Sequence, residues 1–325
     1  MKDTLKLFRR FLPIIFLLSI LGAFFGLLTF LFYLDLAAPK STINWNIIPI
    51  ITVLLLVSAI GVSLAFAIKT EKIHIKRIKK NTAISKFANL LVATLASALF
   101  LFDFFRFVEA PADFSVWRIL RLVVFVPFIA YMVIAIIPRK IRKKTVVIPK
   151  WATYVSSAST IIWCILGLIT LYFFNVIAMT DIFKLIFMIY YIIVILFFVT
   201  EVQFELLGAG HRAYLFSALA LSAYTFVLSG SITIGMFIGK LRDIHISAFE
   251  VFLSLTIGIY AFSKMIAIQS TLKYEIEKNR NSSSDSGHHS HHRHHRHHRS
   301  EGDVATIDLN STPSNPTDSD GSTDK

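Results

Sequence analysis

Apolar residues in this chain fall into eight long runs separated by polar breaks, each long enough to be read as a membrane-crossing helix. The third run is the clearest. It reads FANLLVATLASALFLFDFFRFV, 22 residues from Phe87 to Val108, long enough to cross about 30 Å of hydrocarbon at about 1.5 Å per residue. The pattern predicts further spans over about 11–33, 47–68, 117–137, 151–174, 182–200, 214–238 and 247–268. Pro13 and Pro49 fall in first turns, where a missing N–H costs little. Pro127 falls near the middle of the fourth span, where it is expected to kink the helix. The fold class that follows is all-α, a polytopic membrane helix bundle with about eight transmembrane helices. Residues 1–278 form the bundle, and 279–325 form a polar C-terminal tail expected to be disordered.

The breaks between runs carry the orientation. The segment Lys69–Lys86 holds seven Lys/Arg, and Pro138–Lys150 holds six. Lys2, Lys6, Arg9 and Arg10 precede the first span, and Arg212 lies between the sixth and seventh. The opposite side holds Lys40, Arg118, Arg121, Lys184, Lys240 and Arg242. Lys and Arg concentrate on cytoplasmic loops, so an even number of spans with this bias puts both termini in the cytoplasm of a cell-membrane protein. The bias is strong over the first four spans and weaker after the fifth. MKDTLKLFRR resembles the charged start of a signal peptide, but the apolar run after it is too long and lacks a small-x-small cleavage site, so it reads as a retained anchor.

Composition agrees with this picture. The chain is 55% hydrophobic and 16% charged, with 30 Phe, far from soluble averages. The formal charge of +13 belongs to topology-setting loops and indicates no nucleic-acid partner. The single cysteine, Cys164, excludes an intrachain disulfide and any cysteine-rich metal centre. Gly22/Gly26 and Gly235/Gly239 form two GxxxG pairs, a spacing that allows close helix approach in lipid. They mark candidate faces for a homo-oligomer or a membrane partner, beside the bilayer itself.

Three stretches carry candidate chemistry. Asp103 and Arg106 are three apart on one helical face, Glu109 continues the stripe, and Arg118 and Arg121 open the next span on the same side. Asp113 lies in the loop between them. Such intramembrane charges usually face a bundle interior or a water-filled cavity. One reading is an outward-facing vestibule for an ion or anionic solute, and the other is a salt-bridge clasp on the hairpin with Asp103 and Arg106 paired. Glu201 and Glu205 are four apart at the inner end of the sixth span, followed by His211 and Arg212. They read as an inner gate or as a solvated helix end. Glu250 and Lys264 read as separate interfacial charges, being 14 apart.

The tail holds His288, His289, His291, His292, His294, His295, His297 and His298, interleaved with Arg293, Arg296 and Arg299. No cofactor is expected; paired imidazoles can ligate a divalent metal without needing a fold, and the interleaved Arg could favour anionic lipid instead. A solvated low-complexity segment is the competing reading.

The sequence shows no HExxH, no paired intramembrane Asp with GxGD, and no GxS with a matching His. The chain is therefore not expected to be an enzyme. A transporter or permease for a small solute or ion fits the polar features within the spans. A membrane sensor, scaffold or assembly factor fits the modest loops and the lack of midplane charge.

Overall fold

The computed structural model describes residues 2–33, 47–70, 83–109, 116–136, 140–141, 144–145, 150–173, 182–238 and 248–285. Their order is α1 (Lys2–Leu28), α2 (Ile47–Lys69), α3 (Ala83–Glu109), α4 (Val116–Ile136), α5 (Lys150–Phe173), α6 (Ile182–Leu207), α7 (His211–Tyr224), α8 (Gly230–Phe237) and α9 (Ala248–Asp285). A π turn, Thr29–Tyr33, follows α1, and another, Thr225–Ser229, joins α7 to α8 so that the three run as one rod. Among the described residues the only β structure is a pairing of Lys140–Ile141 with Lys144–Thr145 between α4 and α5.

Among the described residues, eight helical stretches are long and apolar enough to cross a membrane. The fold is thus the all-α, multi-pass bundle expected. Boundaries differ at the polar ends. α1 begins at Lys2 rather than near Phe11, because Lys, Leu and Arg before the apolar run are good helix formers. α9 continues to Asp285, beyond the expected end of the bundle at Lys278, since backbone hydrogen bonds extend past the apolar stretch. The fourth helix runs through Pro127 as one element. The Ser159 hydroxyl of α5 donates to the Val124 carbonyl nearby, so a neighbouring helix supplies a partner where proline disturbs the ladder.

α1 and α2 run antiparallel. Phe8 at the start of α1 meets Phe66 at the end of α2, ring centres 4.9 Å apart, while Thr29 meets Thr52 at 3.1 Å. The end at which α1 begins is called here the near end, and the other the far end. Between α6 and α7 the chain reverses through Gly208 and Gly210, both at positive φ (65° and 70°), a conformation that costs glycine nothing. This tight turn sets the start of α7 beside the end of α6.

The centre of the bundle is the rod of α7 and α8. Its apolar window is 83% buried, against 17% for α2, although it is the least apolar of the eight spans. Lipid cannot reward burial of one apolar surface over another, so the core is chosen by close packing and hydrogen bonds instead. Small residues supply both. Ser222 donates to the Gly258 carbonyl of α9 at 3.1 Å, Ser254 donates to Ser229 at 2.6 Å, Thr200 and Ser217 lie 2.6 Å apart, and Ser231 donates to the Ala23 carbonyl at 2.8 Å. Conversely, large apolar side chains such as Leu17, Phe24, Leu54 and Val57 are exposed at 56–60%, forming the surface that contacts lipid.

The glycine faces are used inside the chain. A methyl group on Gly22 would meet Val227, and one on Gly26 would meet Ser231 and the Val227 carbonyl. The first GxxxG face therefore seats α1 on the central rod. Gly235 is buried in α8, whereas Gly239 lies outside the described residues. So do Asp113 and the His-rich run.

The tightest crossing is at Gly258, where an added Cβ would overlap the Thr225 side chain in the π turn. Gly258→Ala is expected to cost about 1–3 kcal/mol through overpacking. Gly61→Ala, which meets open space, is expected to be neutral or stabilising by up to about 1 kcal/mol. Unfolding of the two purified variants in mixed detergent checks both.

Candidate functional site: two buried charge clusters on α6 and α9

Helix α9 carries Glu250 near its start and Lys264 fourteen residues later, about 21 Å along the axis. Each is met by charges from other helices, so the bundle contains one ionic cluster toward each end.

The far-end cluster centres on Arg121 of α4. Its guanidinium donates to Glu250 at 2.7 Å and to the Tyr191 hydroxyl of α6 at 2.6 Å, and Tyr191 in turn donates to the same Glu250 oxygen at 3.0 Å. The side chains of Arg121 and Glu250 are 16% and 18% exposed. The cation lies over the Trp163 ring of α5, 4.4 Å from its centre, and 5.5 Å from that of Tyr191. Phe125 stacks on Trp163 at 4.7 Å and continues the aromatic wall. A guanidinium so placed gains both an anion and a π face away from water. Asp103 is half-buried nearby, among the charges of Glu250, Arg121, Arg106 and Arg118. The Arg121 Nε and the Tyr190 hydroxyl are buried here without hydrogen-bond partners.

The near-end cluster centres on Lys264. Its ammonium lies 2.9 Å from Glu201 and 3.0 Å from Glu205, both on α6. Spacing of four puts these carboxylates on one face, one turn apart, so that a single ammonium bridges both. Tyr260, one turn before Lys264, donates to Glu201 at 3.0 Å, and its ring lies 5.1 Å from the ammonium. Glu201 is the deepest of the charges, its side chain 3% exposed against 23% for Glu205. Tyr214 of α7 closes the site. Its ring stacks on Phe204 at 4.8 Å, and its buried hydroxyl has no hydrogen-bond partner.

These contacts redistribute the residues singled out by sequence. Of the outer set, Arg121 joins a buried pair and Asp103 lies beside it, while Arg106, Glu109 and Arg118 are exposed. The Asp103–Arg106 pairing does not form among the described residues. The Arg106 guanidinium instead lies 5.8 Å from the ring centre of Phe102. The inner set divides in the same way. Glu201 and Glu205 meet at Lys264, whereas Arg212 is exposed and its Nε donates to the Thr70 carbonyl at the end of α2, at 3.4 Å, a favourable place for a cation. His211 is half-buried at the start of α7. Glu250 and Lys264, which the sequence presents as separate interfacial charges, are the organising residues of the two clusters. Their partners are 129 and 59–63 positions away, beyond any local spacing rule. One signal was available in retrospect: each is the isolated ionised residue of an otherwise apolar turn.

No protein-family model matches the chain, and neither the curated proteins nor the solved structures provide a match.

Removing one member of a buried ionic cluster strands the others. Lys264→Met is expected to destabilise the bundle by about 3–5 kcal/mol. The triple change Lys264→Met, Glu201→Gln, Glu205→Gln is expected to recover most of that loss. Denaturant titration of the reconstituted variants measures both, and a smaller loss for the single change than for the triple would be inconsistent with the cluster.

Proposed function

We propose that this multi-pass membrane protein is a carrier for a small solute or ion, rather than an enzyme, set in the cell membrane with both termini cytoplasmic. The observation that supports this is the placement of the two charge clusters. Both join α6 to α9, and they lie at either end of a seam of buried hydroxyls made by Ser222, Thr225, Ser229 and Ser254. Burying ion pairs is expensive, and apolar packing holds helices together at least as well. A pair that must open and rehydrate in turn has a reason to be ionic. A tilt of α9 against α6 would stretch the cluster at one end while keeping the other closed, as alternating access requires. The π turn at Thr225–Ser229 gives the central rod a local irregularity in the middle of that seam.

A membrane scaffold, sensor or assembly factor is the second reading. It is favoured by the direct partners that Arg121, Glu250, Lys264, Glu201 and Glu205 all have, which is also how a static clasp is built.

Solvent access separates the two. Single cysteines at Ser229 and Ser254, in a Cys164→Ala background, are probed in sided vesicles with a membrane-impermeant thiol reagent. A carrier is expected to label at Ser254→Cys from the far side once Arg121→Gln and Glu250→Gln are introduced together, and from the near side once Lys264, Glu201 and Glu205 are neutralised together. A seam that stays unlabelled from both sides in every background contradicts transport and supports the scaffold.

A further inference from the structure

The near-end cluster is unbalanced where the Arg121–Glu250 pair at the far end is not. At the near end two carboxylates, Glu201 and Glu205, face one ammonium, Lys264, leaving a formal charge of −1. A net charge held in low-dielectric surroundings is costly unless something neutralises it. Among the described groups that face Glu201 are Glu205 on its own helix, Lys264 and Tyr260 on α9, Tyr214 on α7, and Tyr131 of α4 beside Tyr214 and Tyr260. None of these named groups is a second cation; the half-buried His211 imidazole lies about one turn before Tyr214 on α7. The Tyr214 hydroxyl is a separate observation. The residue is fully buried, its hydroxyl has no hydrogen-bond partner among the described residues, and Glu201, Lys264 and Glu205 are its charged neighbours. A phenol oxygen in that position is an unused acceptor or donor beside an excess of negative charge.

We propose that the Glu201–Glu205–Lys264 cluster is a binding site for one monovalent positive charge, a proton or an alkali cation, held by the two carboxylates and completed by the Tyr214 hydroxyl. The exposure gradient gives the route. Glu205, the more open carboxylate, meets the charge first, and Glu201, nearly sealed, holds it at depth. Lys264 stays in place as the fixed countercharge to one carboxylate, so uptake of the charge at the other takes the cluster from −1 to neutral while one ion pair is kept. The far-end cluster is less suited, since Asp103 stands outside the direct Arg121–Glu250 contacts and Glu250 is more exposed than Glu201. The inference concerns binding alone and stands whether or not the bundle moves a solute. In a carrier, the bound charge would be the coupling ion.

Two titrations of the full-length chain in liposomes test it. In the first, infrared difference spectra are recorded against pH in buffer free of alkali ions. A proton site gives a carboxylic-acid C=O band that is lost as pH rises, disappears in Glu201→Gln or Glu205→Gln, and shifts in Glu201→Asp, which keeps the acid if the Gln variants fail to fold. In the second, Na+ or K+ is added at fixed pH while thermal unfolding is followed. An alkali site gives a concentration-dependent rise in melting temperature that both Gln variants lose. In either case Tyr214→Phe is expected to weaken binding about tenfold or more, the effect of losing a hydrogen bond to a charged partner. The proposal is overturned if the wild-type chain shows neither response, or if the response it shows is unchanged in the Glu201 and Glu205 variants.

Discussion

An ionised side chain inside a bilayer must find a partner, and for five of the described charges, Arg121, Glu250, Lys264, Glu201 and Glu205, that requirement is met through α9. Glu250 takes Arg121 from α4 and Tyr191 from α6, and Lys264 takes Glu201 and Glu205 from α6. The two anchors are about 21 Å apart along the helix, so α9 is fixed at two depths against the same neighbour. The register of α6 against α9 is thereby specified, since a one-turn slip, about 5.4 Å, would part Glu250 from Arg121 and Tyr191 and take Lys264 away from one or both of its carboxylates. Apolar packing alone discriminates less well between registers in lipid, where sliding exchanges one apolar contact for another.

Between the anchors the requirement changes from charge to proximity. Gly258 lets α9 approach the π turn of the central rod, and Ser222 and Ser254 use that closeness to hydrogen-bond across. The same logic seats α1 through Gly22 and Gly26. Bulky residues face outward to the acyl chains, and small hydroxylated residues face inward, which inverts the arrangement of a water-soluble bundle.

How much of this was readable beforehand follows from the range of each interaction. The number and place of the spans were legible because length and apolarity are local properties of each run. Helix ends at Lys2 and Asp285 were not, since polar helix formers extend a helix without any hydropathy signal. Glu201 and Glu205 stood out as a four-residue pair, and they do act together. Asp103 and Arg106 offered an equally good local spacing, yet Arg106 turns outward over Phe102 while Arg121 takes its anion from α9. Helical spacing says which residues share a face but not which neighbour that face meets. The partners of Glu250 and Lys264 were hidden for that reason.

The account rests most heavily on the buried contact between Arg121 and Glu250, because it joins the first half of the chain to the last span. A double-mutant cycle with Arg121→Gln, Glu250→Gln and the pair, followed by unfolding in mixed detergent, measures it directly. The account predicts a coupling energy of about 2 kcal/mol or more, with the double variant more stable than at least one single variant, since each single change leaves a charge stranded. Losses that add within about 0.5 kcal/mol would show that the two residues do not depend on each other, and would contradict the anchoring of α9 described above.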